Sequence, residues 1–288
     1  MIDLLGTPSS LLDHKPIDAP DAKLQRAIGR LFLSVAHTKQ RGTNLVDLRE
    51  EGSFRLIFPK SSDQNVTAVV LNTAGGVASG DTFSVNAFAD KNAALTITTQ
   101  AAERIYGAPD NAVGQIHTKL RVASCAQINW LPQETILFDG SRLNRELDVE
   151  VAEDATFLMV EPLIFGREAS GEIIKSGLFQ DKVRIVCDGR PVYLDSIRMS
   201  GNIANTLGNA AVANGACALA NIVLYDAHAA QHLDAVRSLL PVTAGASMLA
   251  DNLLVIRILA PDSFALRKTL FPIMTLLTNN AVPKNWRL

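Results

Sequence analysis

Three stretches of this chain follow one plan: a strand-like segment, a tight turn ending in alanine, a second strand-like segment, then a loop carrying charge. They join Phe83–Asn86 with Ala94–Thr99, His117–Val122 with Ala126–Leu131, and Glu146–Val151 with Ala155–Glu161. The turn alanines Ala94, Ala126 and Ala155 recur at intervals of about 30 residues, a period that signals stacked supersecondary units. Their turns carry the small polar residues that hairpins use. A unit this short cannot bury its apolar face alone, so it must bury it against its neighbours. The expectation is a mainly β fold, a helix-like stack of β-sheets built from approximate 30-residue strand-turn-strand units, with two α-helices toward the C-terminal end.

The flanks fit that frame. Residues 1–28 are polar and rich in Pro, Asp and Lys, and read as a mobile or loosely docked arm; residues 29–288 read as a single β-rich domain. Strands are expected at Arg30–Ala36, Ser53–Phe58 and Val66–Asn72, with the charged stretch Arg41–Glu51 a solvated connection. Val183–Cys187 and Val192–Ile197 flank the turn signal Asp188-Gly189-Arg190-Pro191. Ala227–Leu240 reads as one helix, and Phe264 to about Leu277 as another, capped by Asp262 or Ser263 and interrupted by Pro272. Between and after them, Leu253–Leu259 reads as a buried strand and Trp286 as a docked side chain.

Charged residues make up only 19% of the chain against 48% hydrophobic, below the roughly 25% charge usual for soluble domains. So little charge suits a large core or an apolar face kept for partners. A net charge of -2 with no basic face argues against nucleic acid and anionic membrane. No apolar run reaches the roughly 20 residues of a membrane span, and no signal peptide is visible. Cys125, Cys187 and Cys217 are widely spaced and odd in number, as expected of buried free thiols in a reducing cytoplasm.

Chemistry-bearing residues are sparse. The loop Asn72–Asp81 holds three glycines, but Gly80 is followed by Asp81 rather than Lys, and a carboxylate there repels phosphate. His228 and His232 stand at i, i+4 on the expected helix, a spacing able to chelate a metal, without the Glu of the H-E-x-x-H signature. Glu134 and Asp139 flank an apolar run inside Trp130–Leu143, where Pro132 marks a bend or strand end and Asp139-Gly140 a turn. Carboxylates in that setting resist burial unless paired or bound to a cation. The stacked plan would align the loops after each second strand and gather Glu103, Arg104, Glu134, Asp139, Glu161, Arg167 and Glu172 along one edge. One alternative is a stand-alone metal-dependent hydrolase using Glu134 and Asp139, or His228 and His232.

Five ordered motifs carry a resemblance. Leu131-Pro132-Gln133-Glu134-Thr135-Ile136-Leu137-Phe138-Asp139-Gly140-Ser141-Arg142-Leu143 resembles the signature of the urease accessory protein UreD (UreH) family. Leu71–Asp81 is similar to its Gly-Gly…Gly-Asp loop; Thr98–Tyr106, Glu161–Glu172 and the Pro-x-x-Trp ending at Pro283–Trp286 extend the likeness to the C-terminus. The glycine loop departs from it, with Thr73-Ala74 where many relatives carry two prolines. The resemblance implies a non-enzymatic maturation factor of mostly β fold. It would bind apo-urease and the accessory proteins UreF and UreG, the latter a GTPase, and a dimer of that complex is a further expectation. No cofactor would be held stably; nickel would pass in transit through a tunnel. Carried over by motif, Asp81, Asp139 and Glu172 would be tunnel carboxylates, with Glu134 an additional candidate for the same path.

Overall fold

The computed structural model describes residues 25–60, 65–107, 111–167 and 171–287. Most of the expected N-terminal arm, residues 1–24, lies outside them, as do 168–170 within the Glu161–Glu172 motif.

The stack forms as the repeat requires. β5 (Thr82–Ala89), β8 (Gly114–Val122), β11 (Arg142–Val151) and β13 (Gly177–Cys187) pair in parallel in one sheet. β4 (Val66–Asn72), β6 (Ala94–Thr99), β9 (Gln127–Leu131) and β12 (Thr156–Phe165) pair in parallel in a second. The two strands of a unit therefore do not form a hairpin. Each turn sends the chain from the first sheet to the second, and every strand pairs with its counterpart in the next unit. The turns confirm the equivalence: Ala93, Ala126 and Ala155 each donate their N–H to the residue three back, at Asp90, Ala123 and Ala152. The repeating buried alanine of the first unit is thus Ala93 rather than Ala94, which faces Gln127 in the ladder. The small side chain is required because the position is closed on both sides, at 1–2% exposure in all three.

Short strands make a third side. β7 (Glu103–Ile105) and β10 (Thr135–Leu137) pair in parallel, and β10 pairs with the end of β12, so Glu103, Thr135 and Leu163 fall in one row. Pro132 sits at the corner between β9 and β10, where its missing donor is not needed by a ladder.

Antiparallel strands close the sheets. β1 (Ile28–Thr38), parallel to β5, and β2 (Gly42–Gly52), antiparallel to β1, complete one end of the first sheet, and antiparallel β14 (Arg190–Gly201) the other, through a turn at Asp188 and Gly189, both at positive φ. The second sheet runs from β3 (Phe54–Ile57) through β4, β6, β9 and β12 to β15 (Ala218–Tyr225), β17 (Leu253–Ala260) and β16 (Ala244–Ala250). The stretch expected as a solvated connection is the strand β2, paired along most of β1. Its charges mark an edge strand, not a loop.

Three layers result. Leu31, Phe83, Leu120, Leu147 and Phe179 of the first sheet meet Ile97, Ile128, Phe157 and Val223 of the second. The second sheet's other face, with Leu158, Val160, Ile222 and Ile256, packs on α2 (Leu233–Leu239), α3 (Ser263–Leu277) and Trp286. Buried on both faces, β12 is apolar almost throughout, whereas β11 alternates inward and outward residues. The outward face of the first sheet carries a basic row on β8, an acidic row on β11 and a basic row on β13; Arg121–Glu150 and Arg184–Asp148 pair at 2.8 and 2.7 Å. Such exposed pairs add little each, but a one-residue slip would turn the whole set inward.

Helices stand toward the C-terminal end as expected, and among the described residues there are three α-helices. The additional one, α1 (Ile203–Gly208), is capped by the Asn202 side chain, which accepts from Asn205 N at 2.9 Å. The expected helix over Ala227–Leu240 is a 3-10 turn, Ala229–His232, followed by the shorter α2. Asp262 caps α3 by accepting from Ala265 N at 2.7 Å, and Pro272 lies inside that helix.

Candidate functional site

Between the two β-sheets lies a cavity of about 260 Å³. Phe54, Val70, Phe83, Val85, Ile116 and Trp130 give it apolar walls; Glu103, Thr118, Thr135, Arg145 and Glu161 give it polar ones. The exposed residues Gly75, Gln100 and Ala101 belong to its lining, so it communicates with solvent at the loops following β4 and β6.

Its inner end is a buried ion cluster. Arg145 of β11 donates Nε and Nη2 to the two carboxylate oxygens of Asp181 at 2.8 and 2.7 Å, and Nη2 lies 3.1 Å from Glu161 Oε2. Trp130 Nε1 donates to Glu161 Oε1 at 2.9 Å. All three charged groups are buried. Desolvation raises Glu161 above the ordinary carboxylate range, against the pull of Arg145; burial disfavours the Arg145 charge, yet Asp181 and Glu161 outweigh it and hold the guanidinium firmly protonated. The polar row continues across the second sheet, where Glu161, Asn221 and Arg257 are register partners. Asn221 Nδ2 donates to Asp195 Oδ2 at 3.0 Å, and Arg257 pairs with the same carboxylate.

At the outer end Glu103 accepts from Asn72 Nδ2 at 3.1 Å. Burial outweighs that bond and pushes the Glu103 carboxyl up to about 7.

The residues singled out in the sequence occupy different surroundings. Asp81 is buried and ties the glycine loop to the first strand, accepting from Ala27 N and Ala78 N, each at 2.7 Å. Asp139 accepts from Lys175 N and Ser176 N at 2.7 and 2.9 Å. Glu172 is close to it and forms a two-pronged pair with Arg167 at 2.8 and 3.0 Å, which keeps its carboxyl below the usual range. The Arg167 guanidinium lies over the Phe138 ring at 4.3 Å. Glu134 points to the helical layer instead, where Arg267 Nη1 donates to it at 2.8 Å. The expected line of charges thus divides: Glu103 and Glu161 line the cavity, Asp139, Arg167 and Glu172 form a separate cluster that is not part of its lining, and Glu134 anchors α3.

Glu134 and Asp139 engage different elements and share no site. His228 and His232 bracket the 3-10 turn instead of lying on one regular helix, and His228 contacts Gln231. Among the described residues no cluster of three His, Cys, Asp or Glu side chains could hold a metal ion. Cys125 is exposed, and Cys187 and Cys217 are half-buried rather than fully enclosed; all three are free thiols. No described helix is long and apolar enough to cross a membrane.

Neither motif nor spacing points to Arg145 or Asp181. Their signal was available, however: Arg145 is in phase with inward Leu143 and Leu147, and Asp181 with inward Phe179 and Val183. A charge at an inward strand position demands a buried partner.

Comparison with known proteins places this architecture. The family model described as "UreD urease accessory protein" matches residues 27–287. "Urease accessory protein UreD" of Roseobacter denitrificans is 42% identical over 273 residues, 95% of this chain and 97% of the relative. The protein of the same name from Ruegeria pomeroyi is 46% identical over 241 residues, 84% of this chain and 94% of the relative. One from Rhizobium leguminosarum bv. viciae is 38% identical over 271 residues, 94% and 98% of the two chains. With the family model matching from the first strand to the docked tryptophan and relatives 38–46% identical over most of the chain, this chain belongs to the UreD family of urease accessory proteins.

Proposed function

We propose that this chain is a non-catalytic urease maturation factor that binds apo-urease, UreF and UreG, and helps deliver nickel to the urease active site by way of the chamber between its sheets. The observation that supports this reading best is the state of its carboxylates: every candidate is already engaged by a protein donor. Glu103 is bonded by Asn72, Glu161 by Trp130 and Arg145, Asp139 by two main-chain amides, and Glu172 by Arg167. A divalent ion must compete with those donors at each step. Nickel also prefers nitrogen and sulfur to carboxylate oxygen, so each contact is shallow and suits passage over storage. Asp81 and Glu134 have structural ties of their own and would act on this path through loop and helix position.

Urease activation tests the reading in cells carrying the remaining urease genes, with wild type compared to Glu103→Gln, Asp139→Ala and Glu172→Ala and a partner pull-down alongside. The expected result is activation lower by on the order of ten-fold, the size seen when an auxiliary metal partner is lost, with the partner complex intact. Unchanged activation in all three would overturn a route that uses the chamber carboxylate and the Asp139–Glu172 cluster.

Glu103 also has a pH signature that needs no partner. Its folded value of about 7 lies above the ordinary 4.5, so the native state holds a proton that the unfolded chain releases. That stabilising term is complete below pH 4.5 and is lost as pH rises through 7. Gln keeps the protonated shape and the acceptor for Asn72. Glu103→Gln should therefore match wild type near pH 4.5 and exceed it by about 3 kcal/mol above pH 8, measured by urea denaturation across that range. A pH-independent difference would show that Glu103 is solvated.

A further inference from the structure

Among the described strands four end the main paths of the two sheets, and three of them are guarded. β2 carries Asp47, Arg49, Glu50 and Glu51; β14 carries Arg190, Pro191 and Asp195; β3 is only four residues long and contains Arg55. Charge, proline and brevity are the devices that keep sheet edges from pairing with other chains. β16 has none of them. Its seven residues, Ala244 to Ala250, contain no charge and no proline, and it pairs with β17 alone among the described strands.

The outward groups of β16 can be identified. Thr243 O, just before the strand, accepts from Leu259 N on the β17 side. Antiparallel alternation then turns the main-chain groups of Ala244, Ala246 and Met248 outward, up to the register shift between Met248 and Ala250; Ala244 N is taken by Pro241 O, which leaves Ala246 N and Met248 N as the outward donors. Ala246 O confirms the direction: it accepts from Nε and Nη2 of Arg237, on α2, at 3.2 and 3.1 Å. Arg237 is exposed and spends Nε and Nη2 on that carbonyl, but no described carboxylate pairs with it, so a cation without a counter-charge among the described residues lies along the strand edge. Leu249 is 60% exposed beside it.

We propose that the outer edge of β16 is a docking edge for an extended segment of a partner protein, added as a further strand, with a carboxylate of that segment set against Arg237. The proposal rests on the reading of the chain as a component of an assembly. Main-chain hydrogen bonds would supply the register, and the ion pair would supply specificity. A second copy of this chain is the poorer occupant: self-pairing about a two-fold axis would bring two Arg237 guanidiniums toward each other across the same short edge.

The experiment uses the full chain, alone and co-purified with apo-urease, UreF and UreG. Hydrogen exchange should show Ala246 and Met248 amides unprotected in the free chain and protected in the complex. Leu249→Lys puts a charge on an exposed position of the edge, and Met248→Pro removes an outward donor without removing a β17 bond. Each should weaken complex formation roughly ten-fold, the equivalent of one to two lost hydrogen bonds, and Arg237→Gln should do so in a salt-dependent way. A complex that forms unchanged with all three variants, with these amides still exchanging, overturns the docking edge and leaves the accessory reading standing. No complex with the wild-type chain overturns both. Self-association of the free chain abolished by Leu249→Lys would make a second copy the occupant and overturn the commitment to a partner.

Discussion

Arg145→Met should destabilise the protein by about 3–5 kcal/mol at pH 8, the range for breaking a buried ion pair from one side. The reason is geometric. Arg145 is the cation between Glu161 and Asp181, with contacts of 3.1, 2.8 and 2.7 Å, and both carboxylates are buried. Met fills a similar volume but leaves two buried like charges facing each other across the sheets. They can escape only by taking up protons. Glu161 is already raised by burial, and removing Arg145 raises it further. The native state then binds more protons than the unfolded chain, so the deficit should be smaller at pH 5 than at pH 8. Urea denaturation at the two pH values checks both the size and the sign. A loss under about 1 kcal/mol, or one independent of pH, would mean that water reaches the cluster. Arg145→Lys offers a milder test: it keeps the charge, loses the fork to Asp181 and should fall between Met and wild type.

Replacing the whole cluster separates stability from the proposed passage. An apolar replacement of Arg145, Glu161 and Asp181 together could be as stable as wild type, because buried ion networks often give no net stabilisation over packed hydrocarbon. Retaining three desolvated charges at the inner end of a cavity is therefore better explained by what the chamber does than by what holds it together. If the triple replacement folds and still forms the partner complex, its urease activation reports on the charges alone.

Sequence patterns revealed the stack more readily than its pairing. The recurring alanines and the alternating strands reflect inward packing that every unit must repeat, so they survive in the sequence. Whether the two strands of a unit pair with each other or diverge to opposite sheets leaves no such trace, because the same small polar turns serve both. β2 was obscured for a different reason. Its outward charges protect a sheet edge, and locally they are indistinguishable from those of a solvated loop. The site divides similarly. Motifs led to Asp139 and Glu172, which prove to be adjacent, but carboxylates spaced along a chain do not reveal which side of a sheet they face. Glu134 lies past the end of β9 and bonds the helical layer, whereas Glu161 lies inside β12 and faces the interior.

Trp286→Ala should cost about 3–5 kcal/mol, although it lies two residues from the end of the chain. Trp286 is only 1% exposed, and its indole donates to Leu131 O at 3.0 Å. Arg267 lies over its ring at 4.8 Å and donates to Trp286 O at 3.1 Å, while Nη1 reaches Gln133 and Glu134 at 3.0 and 2.8 Å. Asn285 Nδ2 adds bonds to Thr98 Oγ1 and Thr99 O. The tail thus closes over the outer side of the corner that places Thr135 in the chamber wall. Trp286→Phe keeps most of the apolar contact and forfeits the indole bond, so it should lose about 1 kcal/mol beyond the packing change. Coupling between Trp286→Ala and Arg267→Ala, measured by a double-mutant cycle, should reach 0.5–3 kcal/mol because the two side chains share one site. Additive losses would show that Arg267 and Trp286 act separately. A Trp286→Ala loss below about 1 kcal/mol would mean that the corner at Pro132 holds its shape without the tail, and that Glu134 is free to turn toward other partners.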